Sequence, residues 1–466
     1  MTAATVATVA RTSLATSLTR YSRSWGLWLL LLAGPVGARF MVARDDGSGV
    51  QIAVGRHLPV ITSSVLGVSL GIVVSALLLP IGFLYLRSNV TRRQPWQIED
   101  VSAAPRVGMA MGRFGADAAV LVAMLGTLTV AGWFLGWLIV SGPLDIVGIS
   151  WPLWLIAAPS LIGLAAVHRL LDSQPVTRRG LGDFVFFILW MASITMPAAV
   201  ADLPSSLVTN LYDFPGYVRP LVGSAPLEGQ DFMVGNSKDV VPGRVPLDVM
   251  AGIRAPGYVA SRAVWTMVAL AIAMLAGLIY RPHVEPRRGR IGPALARLLA
   301  PGAPPAAVGD APSARPVTAP LLGLVIGEFR LVGAGRLFKL LALGAAGVGM
   351  VGDYRHIGSP AALLLLIFGL VAHAGRSEAR GLLALTRTAA LGPWARRAAF
   401  LMAGFLWAAL LALPASMVRI SPEPLLMTVA AGVVAAGVAI SLATLSHSAF
   451  AGRLVLLVMW YAFLSS

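Results

Sequence analysis

The sequence contains no cysteine, and lysine is almost as scarce, because only two of the 36 basic residues are lysines. Without cysteine the chain can form no disulfide, thiolate metal site or cysteine nucleophile. No Gly-Lys dipeptide occurs, so the chain lacks the phosphate loop in which backbone amides and a lysine hold the phosphates of ATP. We therefore expect that this chain does not itself hydrolyse ATP and carries no cofactor of its own.

Histidine is also rare, and the arrangement of the six histidines argues against hydrolytic chemistry. None lies in a His-Glu-x-x-His pattern, which places two zinc ligands on one helix face. The one dense cluster is Ser446-His447-Ser448, and adjacency in sequence does not bring a nucleophile and its base together in space. The sequence therefore predicts no catalytic residue and no metal ligand.

Charged residues make up only 12% of the chain, whereas 57% is hydrophobic, unlike soluble domains, of which about a quarter is charged. The apolar residues gather in segments, most of them close to the ~20 residues with which a helix crosses the hydrocarbon core of a bilayer. These segments are Trp25–Val42, Val60–Leu86, Ala116–Val140, Trp151–Leu171, Phe184–Val200, Ala263–Tyr280, Leu337–Val351, Ala361–Ala374, Phe400–Val418, Leu425–Ala443 and Leu454–Leu464. The predicted fold is an all-α polytopic membrane protein with about eleven transmembrane helices.

The gaps between these segments alternate between basic and acidic, which predicts the orientation of the chain. Arginines gather after the second, fourth, sixth and eighth segments, and the intervening gaps hold Asp45, Asp46, Asp145, Asp353 and Glu423. Basic residues that flank membrane helices stay in the cytoplasm, so we expect a cytoplasmic N-terminus in a plasma (inner) membrane. The formal charge of +16 then reflects this bias and attraction to anionic lipids, not binding to nucleic acid.

Proline divides the chain into two halves. Nine prolines fall between residues 282 and 320, which predicts a flexible cytoplasmic linker over 281–320. The linker separates a first transmembrane half, residues 1–280 with six helices, from a second, residues 321–466 with about five. Residues 201–259 hold seven further prolines, and we expect a mostly irregular outer segment with one short helix at Leu207–Leu211. This segment would be either a gate over an exit or a passive loop.

The two halves resemble one another in the order of their parts. Each opens with a basic stretch, a first span, a short outer loop and a second span, and a basic inner loop then precedes the third span. An internal duplication would explain this order, because repeated halves are common in transporters. The alternative is that any polytopic protein carries basic inner loops of this size. The sequence also leaves open whether one copy forms a fused pseudo-dimer or two copies pair as a homodimer.

The first inner loop carries a family resemblance. It runs from Glu99 through Val101-Ser102-Ala103-Ala104-Pro105-Arg106 to Gly112-Arg113. This order of acid, apolar or small residues, proline and basic residue before the third span resembles the type-two permease superfamily of ABC exporters. The six-helix half with an outer segment between helices five and six also resembles that class. The match departs where Arg113 replaces the usual lysine and where two halves are fused, and it covers the first half better than the second.

The resemblance implies the membrane-spanning permease subunit of an ATP-driven exporter, whose partners are the lipid bilayer and cytoplasmic subunits that bind ATP-Mg. In that family the inner loop docks on the ATPase, so its residues would couple the two subunits. The predicted coupling residues are Arg92, Arg93, Trp96, Glu99, Asp100, Pro105 and Arg106, with Glu378, Arg380 and Arg387 as candidates in the second half. The alternative is ordinary anchoring by positive residues, which gives no role to the two acids.

The spans hold few ionisable residues, which predicts an apolar or amphipathic substrate. The candidate pathway residues lie in the fifth span and are Phe187, Trp190, Ser193 and Met196, for which packing against lipid or other helices is the alternative. Asp117 and His168 lie near span ends, where anchoring at the membrane interface explains them, and Asp117 could pair with Arg113 on the same helix. A non-transporting scaffold or assembly factor, or a secondary transporter, is the alternative function.

Overall fold

The computed structural model divides the chain into two compact units, residues 1–285 and 286–466. The residues that it describes are 3–40, 51–54, 57–88, 104–174, 177, 180–222, 232–235, 243–280, 320–375, 391–446 and 449–465. Almost all of them lie in helices, and the few strands are two to four residues long. The predicted linker lies outside the described residues except for Pro320, which begins a helix of the second unit.

Unit 1 contains eleven labelled helices among the described residues, together with four short strands. The elements are α1 Ala3–Ser22, α2 Trp25–Phe40, β1 Gln51–Val54, β2 Leu58–Pro59, α3 Ser63–Val73, α4 Leu79–Ser88, α5 Arg106–Ile139, α6 Ile146–Ser173, α7 Gly180–Thr195, α8 Leu207–Leu211, α9 Val218–Val222, β3 Phe232–Gly235, β4 Arg244–Val245, α10 Val249–Ile253 and α11 Tyr258–Leu278. A π-helical turn, Val74–Leu78, joins α3 to α4, and a 3-10 turn, Met196–Val200, follows α7.

Unit 2 contains six labelled helices among the described residues. They are α12 Pro320–Val332, α13 Arg336–Val351, α14 Ser359–His373, α15 Pro393–Arg419, α16 Glu423–Ser446 and α17 Ala449–Ser465. A π-helical turn, Tyr354–Gly358, precedes α14. The core of unit 2 is built largely from alanine and leucine, with one tryptophan, Trp407. The small alanine side chains let α15 and α16 approach closely.

Every apolar segment that the sequence predicts lies on helix, and the all-α polytopic membrane fold is confirmed. Among the described residues, six helices are long and apolar enough to cross a membrane: Ser63–Ser88, Arg106–Ile139, Ile146–Ser173, Tyr258–Leu278, Pro393–Arg419 and Glu423–Ser446. Four shorter apolar helices accompany them, at Val185–Thr195, Phe338–Val351, Ser359–His373 and Ala451–Trp460. The total of about eleven crossings stays a prediction.

Several helices begin at a polar residue that satisfies a free backbone N–H group. The Thr62 hydroxyl accepts the N–H of Val65 at 3.3 Å ahead of α3. Asp145 accepts the N–H of Val147 at 3.0 Å ahead of α6, and Asp353 accepts the N–H of Arg355 at 3.0 Å. Asp145 and Asp353, two of the acidic residues in the gaps, therefore cap the helical segments that follow them.

The described residues of the predicted outer segment 201–259 form the expected short helix at Leu207–Leu211, α8, together with two further short helices, α9 and α10, and two strands. We call the described residues of 201–257 the cap. Strand β3 pairs antiparallel with β1, and β4 pairs parallel with β2. Strands β1 and β2 belong to the connection between α2 and α3. That connection and the cap therefore lie on the same side of unit 1, as the alternation of charge between the apolar segments predicts. Pro220 lies within α9, and Pro246 directly follows β4.

Helix α1 is packed along the first turns of α5, where small residues allow close approach. A side chain at Gly112 would overlap the Ala10 carbonyl oxygen, and one at Gly108 would lie 2.7 Å from the Val6 carbonyl oxygen. The Ser13 hydroxyl donates to the Met109 carbonyl at 3.3 Å. The N-terminal stretch is therefore part of the folded unit.

The two units share one order of helix packing. In unit 1, α1 and α2 pack on α5, α5 packs on α6, α3 and α4 pack on α6, and α4 contacts α7. In unit 2, α12 and α13 pack on α15, α15 packs on α16, α14 packs on α16, and α14 contacts α17. An internal duplication would produce this correspondence. Unit 1 adds α11, which packs on α5 and α6, and the cap.

The contact between α1 and α5 predicts opposite effects for two glycine substitutions in the same helix. Replacing Gly with Ala inside a helix normally stabilises it, by about 0.5–1 kcal/mol. Gly112→Ala should instead lower the melting temperature of the detergent-purified protein, because the new methyl group displaces α1. Gly126→Ala is the control, since a side chain there meets nothing within 4 Å. Equal shifts in the two variants would contradict this account of the α1 contact.

Candidate functional site

Most of the predicted coupling residues lie outside the described residues. Those outside are Arg92, Arg93, Trp96, Glu99, Asp100, Glu378, Arg380 and Arg387. Pro105 and Arg106 are described and mark the start of α5. Pro105 takes an extended conformation at the N-cap, and the Arg106 guanidinium donates to the Tyr280 carbonyl oxygen at 2.9 Å. Arg106 therefore ties the start of α5 to the end of α11.

Helix α5 is one uninterrupted helix of 34 residues. The predicted third span began at Ala116, whereas the helix begins at Arg106, directly after the loop that carries the family resemblance. The amide of Gln174, just past α6, donates to the Ile279 carbonyl oxygen at 2.5 Å. The start of α5 and the ends of α6 and α11 thus meet at the end of unit 1 opposite the cap.

A buried ionic network lies deeper in the same end of the unit. Asp117, eleven residues after the start of α5, has no exposed surface. It accepts hydrogen bonds from the Tyr21 hydroxyl at 2.6 Å, from His168 Nδ1 at 2.9 Å and from Arg169 Nε at 2.7 Å. We call these four residues the carboxylate cluster. It joins α1, α5 and α6 through one side chain.

The chemistry of the cluster follows from the charge of Asp117. Burial and that charge raise the pKa of the Tyr21 phenol well above its usual range, so the phenol keeps its proton and donates. Because the carboxylate accepts, His168 donates through Nδ1–H, and a neutral ring leaves Nε2 bare. Nε2 has no hydrogen-bond partner among the described residues, and the ring packs edge-on to Phe83 with centroids 6.1 Å apart.

Asp117 and His168 do not have the role that the sequence predicts for them. Anchoring at the membrane interface does not describe them, because both are buried inside the helix bundle. Their partners come from helices 51 to 96 residues away in the chain, whereas the sequence offered only a neighbour on the same helix. Acidic residues are rare within the apolar segments, and a carboxylate buried there requires partners. The presence of Asp117 in such a segment was therefore the signal in the sequence that pointed to this cluster.

A second ion pair fastens α4 to α7. Arg87 Nε donates to Asp183 Oδ1 at 2.5 Å, and its guanidinium also donates to the Thr177 carbonyl oxygen at 3.0 Å. The Arg87 side chain is buried, and its charge lies 5.5 Å from the centre of the Phe83 ring. Basic residues predicted only as anchors therefore hold helix ends together.

The first helix of unit 2, α12, is held by contacts between aromatic rings, whereas the first helix of unit 1, α1, is held by a hydrogen bond to the charged Asp117. Phe329 of α12 stacks on Trp407 of α15 with centroids 4.7 Å apart, and Phe338 of α13 meets the same indole edge-on at 5.0 Å. The indole Nε1–H donates to the Phe329 carbonyl oxygen at 2.8 Å. A side chain at Gly333 would overlap the indole, so this contact also requires glycine.

The four candidate pathway residues lie on or near the surface of α7 and the turn that follows it. Phe187 and Met196 are exposed, and Trp190 and Ser193 are half-buried. Trp190 Nε1 donates to the Ser75 carbonyl oxygen at 2.9 Å, inside the π-helical turn between α3 and α4. Trp190 therefore has a contact within unit 1 that the sequence did not reveal, and the pathway itself stays a prediction.

The cap is held to α11 by a buried arginine. Arg262 is 1% exposed, and its guanidinium donates to the carbonyl oxygens of Asn210, Asp213 and Phe214, the last at 2.8 Å. The Asp213 carboxylate in turn accepts the N–H groups of Gly216 and Val218 at 2.8 and 2.9 Å. Burial raises the pKa of Asp213, and the positive charge of Arg262 opposes that shift.

The loop that Arg262 contacts requires a glycine at position 216. Gly216 has a φ of +80°, which few residues with a side chain adopt, and a side chain there would overlap the Arg262 guanidinium. The Tyr258 hydroxyl donates to the Gly216 carbonyl oxygen. These contacts hold the cap against the first turns of α11.

No group of three or more potential metal ligands among histidine and acidic side chains comes together within the described part of the chain. No family model, no curated protein and no solved structure matches the chain. The candidate functional region is therefore defined by geometry alone, as the carboxylate cluster together with the start of α5.

The carboxylate cluster predicts a graded loss of stability. Asp117→Leu leaves Arg169 buried with Asp172 at 3.9 Å as its remaining carboxylate, which should cost about 3–5 kcal/mol. Tyr21→Phe removes one charged hydrogen bond and should cost about 1.5–3 kcal/mol. Thermal unfolding of the purified protein measures both. Tyr212→Phe, at an exposed tyrosine, is the control and should leave the melting temperature unchanged. If Asp117→Leu matched that control, the cluster would not hold the three helices together.

Proposed function

We propose that the chain is the membrane-spanning permease subunit of an ATP-driven exporter of the ABC type, in the plasma (inner) membrane with a cytoplasmic N-terminus. One observation carries the proposal: the permease-like sequence, Glu99 to Arg113, ends inside the first turns of the 34-residue helix α5, whose N-cap is Pro105. A separate cytoplasmic subunit binds and hydrolyses ATP-Mg, since the sequence offers no phosphate loop. The substrate moves outward.

The mechanism is rigid-body coupling. Movement of the ATPase passes to the inner loop and reaches Pro105 at the start of α5. Because Asp117 joins α5 to Tyr21 of α1 and to Arg169 of α6, these three helices move as one body. The bond from Arg106 to Tyr280 adds the end of α11 to that body. Unit 1 would then alternate between inward- and outward-facing states without bending its helices.

We infer the substrate class from the surface that unit 1 offers. Its exposed side chains are largely apolar and aromatic, with Phe187 and Met196 among them, and the Asp117 carboxylate is buried and bonded to Tyr21 and Arg169 inside the bundle. Such a surface suits an apolar or amphipathic molecule, such as a lipid, a hydrophobic peptide or a drug-like compound.

The carboxylate cluster also favours a second candidate function, an ion-coupled secondary transporter. Ionisable groups buried among membrane helices often relay protons or bind ions. His168 Nε2, which has no hydrogen-bond partner among the described residues, is the group at which a proton could enter. In this alternative the driving force is an ion gradient, and no ATPase subunit is required.

Coupling through the inner loop predicts the effect of removing its two acids. The double variant Glu99→Ala and Asp100→Ala should lower the substrate-stimulated ATPase activity of the complex while leaving the amount of inserted protein unchanged. Opposed charges on the loop suit a polar, reversible contact between subunits, and this variant removes the negative ones. Asp202→Ala, at an exposed acid of the cap, is the matched control and should leave the activity unchanged.

Two results would contradict the ATP-driven mechanism. One is unchanged coupling in the double variant. The other is transport by the purified chain in liposomes that is driven by an ion gradient with no ATPase subunit present, which would favour the secondary transporter instead.

Trp190 separates a pathway role from a packing role. If its ring lines the pathway, Trp190→Ala should lower transport of an apolar substrate, whereas Trp190→Phe, which keeps a ring, should retain most of it. If the bond to Ser75 is what matters, both variants should instead lower the melting temperature. Trp137→Ala, at an exposed tryptophan of α5, is the control. Normal transport by Trp190→Ala would mean that α7 faces lipid at this position.

A further inference from the structure

Helix α8 of the cap has two contrasting sides. On one side Asn210 is fully buried, with its amide donating to the Ser205 hydroxyl at 3.1 Å and accepting from Arg219 Nε at 2.9 Å. On the opposite side Val208 is 64% exposed and Tyr212 is 50% exposed. Two further exposed leucines flank them. We call this surface, Leu203, Leu207, Val208 and Tyr212, the α8 patch.

The α8 patch is fixed at one end of a membrane-crossing helix. Gly257, the residue before α11, packs so closely on Leu207 that a side chain there would overlap its backbone. The hydroxyl of Ser205 and the amide of Asn210 both donate to the Pro256 carbonyl oxygen, at 3.0 and 3.2 Å. The bonds of Arg262 to the same loop hold α8 against the first turn of α11.

The exposed side of α11 forms an apolar stripe that leads to this position. Large exposed side chains lie three, four or eight residues apart along α11, which places them on one face of the helix. They are Val259, Met267, Leu270, Met274 and Leu278. Helix α11 is long and apolar enough to cross a bilayer, so the stripe would meet acyl chains wherever no other protein surface covers it. Val259 begins the stripe in the first turn of α11, beside α8, so the α8 patch continues the lipid-facing surface past the end of the helix.

We propose that the α8 patch docks into the lipid leaflet on the cap side of the membrane, at the level between headgroups and acyl chains. Apolar side chains that would otherwise meet water are covered there, and a tyrosine at this depth keeps its ring in lipid and its hydroxyl in water. We assign lipid as the occupant because the patch adjoins the exposed apolar face of a helix that is long and apolar enough to cross a bilayer. The cap therefore lies on the membrane beside α11.

The contact needs only that α11 crosses the bilayer, so it goes beyond the proposed transport function and can be tested apart from it. The absence of cysteine makes single-cysteine labelling direct. Val208→Cys and Leu207→Cys carry a nitroxide label within the patch. Met267→Cys, in the middle of α11, reports the acyl chains, and Arg254→Cys, at an exposed residue elsewhere on the cap, reports water.

The measurement is the collision rate of each label with oxygen, which concentrates among acyl chains, relative to a nickel chelate, which stays in water. The full chain is reconstituted in vesicles of phosphatidylcholine and phosphatidylglycerol. The ratio at Val208→Cys should lie several-fold above that at Arg254→Cys and approach that at Met267→Cys. If Val208→Cys does not fold, Leu207→Cys gives the same comparison.

Two outcomes would overturn the proposal. A ratio equal to that at Arg254→Cys would mean that the patch stands in water. Slow collision with both reagents would mean that another protein surface, such as a second copy of the chain, covers it.

Discussion

A carboxylate buried among membrane helices needs partners, and Asp117 takes its partners from two other helices. Tyr21 reaches it from α1, and His168 and Arg169 reach it from α6. Removing a charge from water is costly, so the cluster is stable only when all of its donors are in place. The position of α1, the angle between α5 and α6, and the rigid end of the unit next to the inner loop all depend on this arrangement.

Unit 2 reaches the same packing order by different chemistry. The leading helix α12 is held to α15 by Phe329 stacking on Trp407, with no carboxylate in the contact. Both contacts use a ring near the end of the leading helix, Tyr21 or Phe329, and a partner inside the long helix that follows the predicted inner loop of that half, Asp117 or Trp407. If the two halves arose by duplication, such a change of side chains with retention of geometry would leave them alike in the order of their helices and different in sequence.

The cap combines a polar interior with an apolar outer side. Its interior is formed by Arg262, Asn210 and Asp213. Their hydrogen bonds are mostly to backbone carbonyl and N–H groups, and these bonds hold the short helices and loops of the cap together. With its polar groups satisfied inside, the cap can expose valine, leucine and tyrosine on the opposite side. That division is typical of segments that lie at a membrane surface.

The fold class and the apolar helices could be predicted from the sequence alone. Apolar runs of membrane length and basic gaps between them are local properties, because each helix must satisfy its own backbone in lipid wherever its neighbours lie. The sequence also indicated the loop before α5 through an order of residues, although most of that loop lies outside the described residues. Tertiary structure alone decided the rest: that Asp117 is a junction of three helices, that Trp190 bonds the π-helical turn, and that the proline-rich 201–257 segment folds around Arg262. Each of these contacts joins residues far apart in the chain, so no local pattern could have paired them.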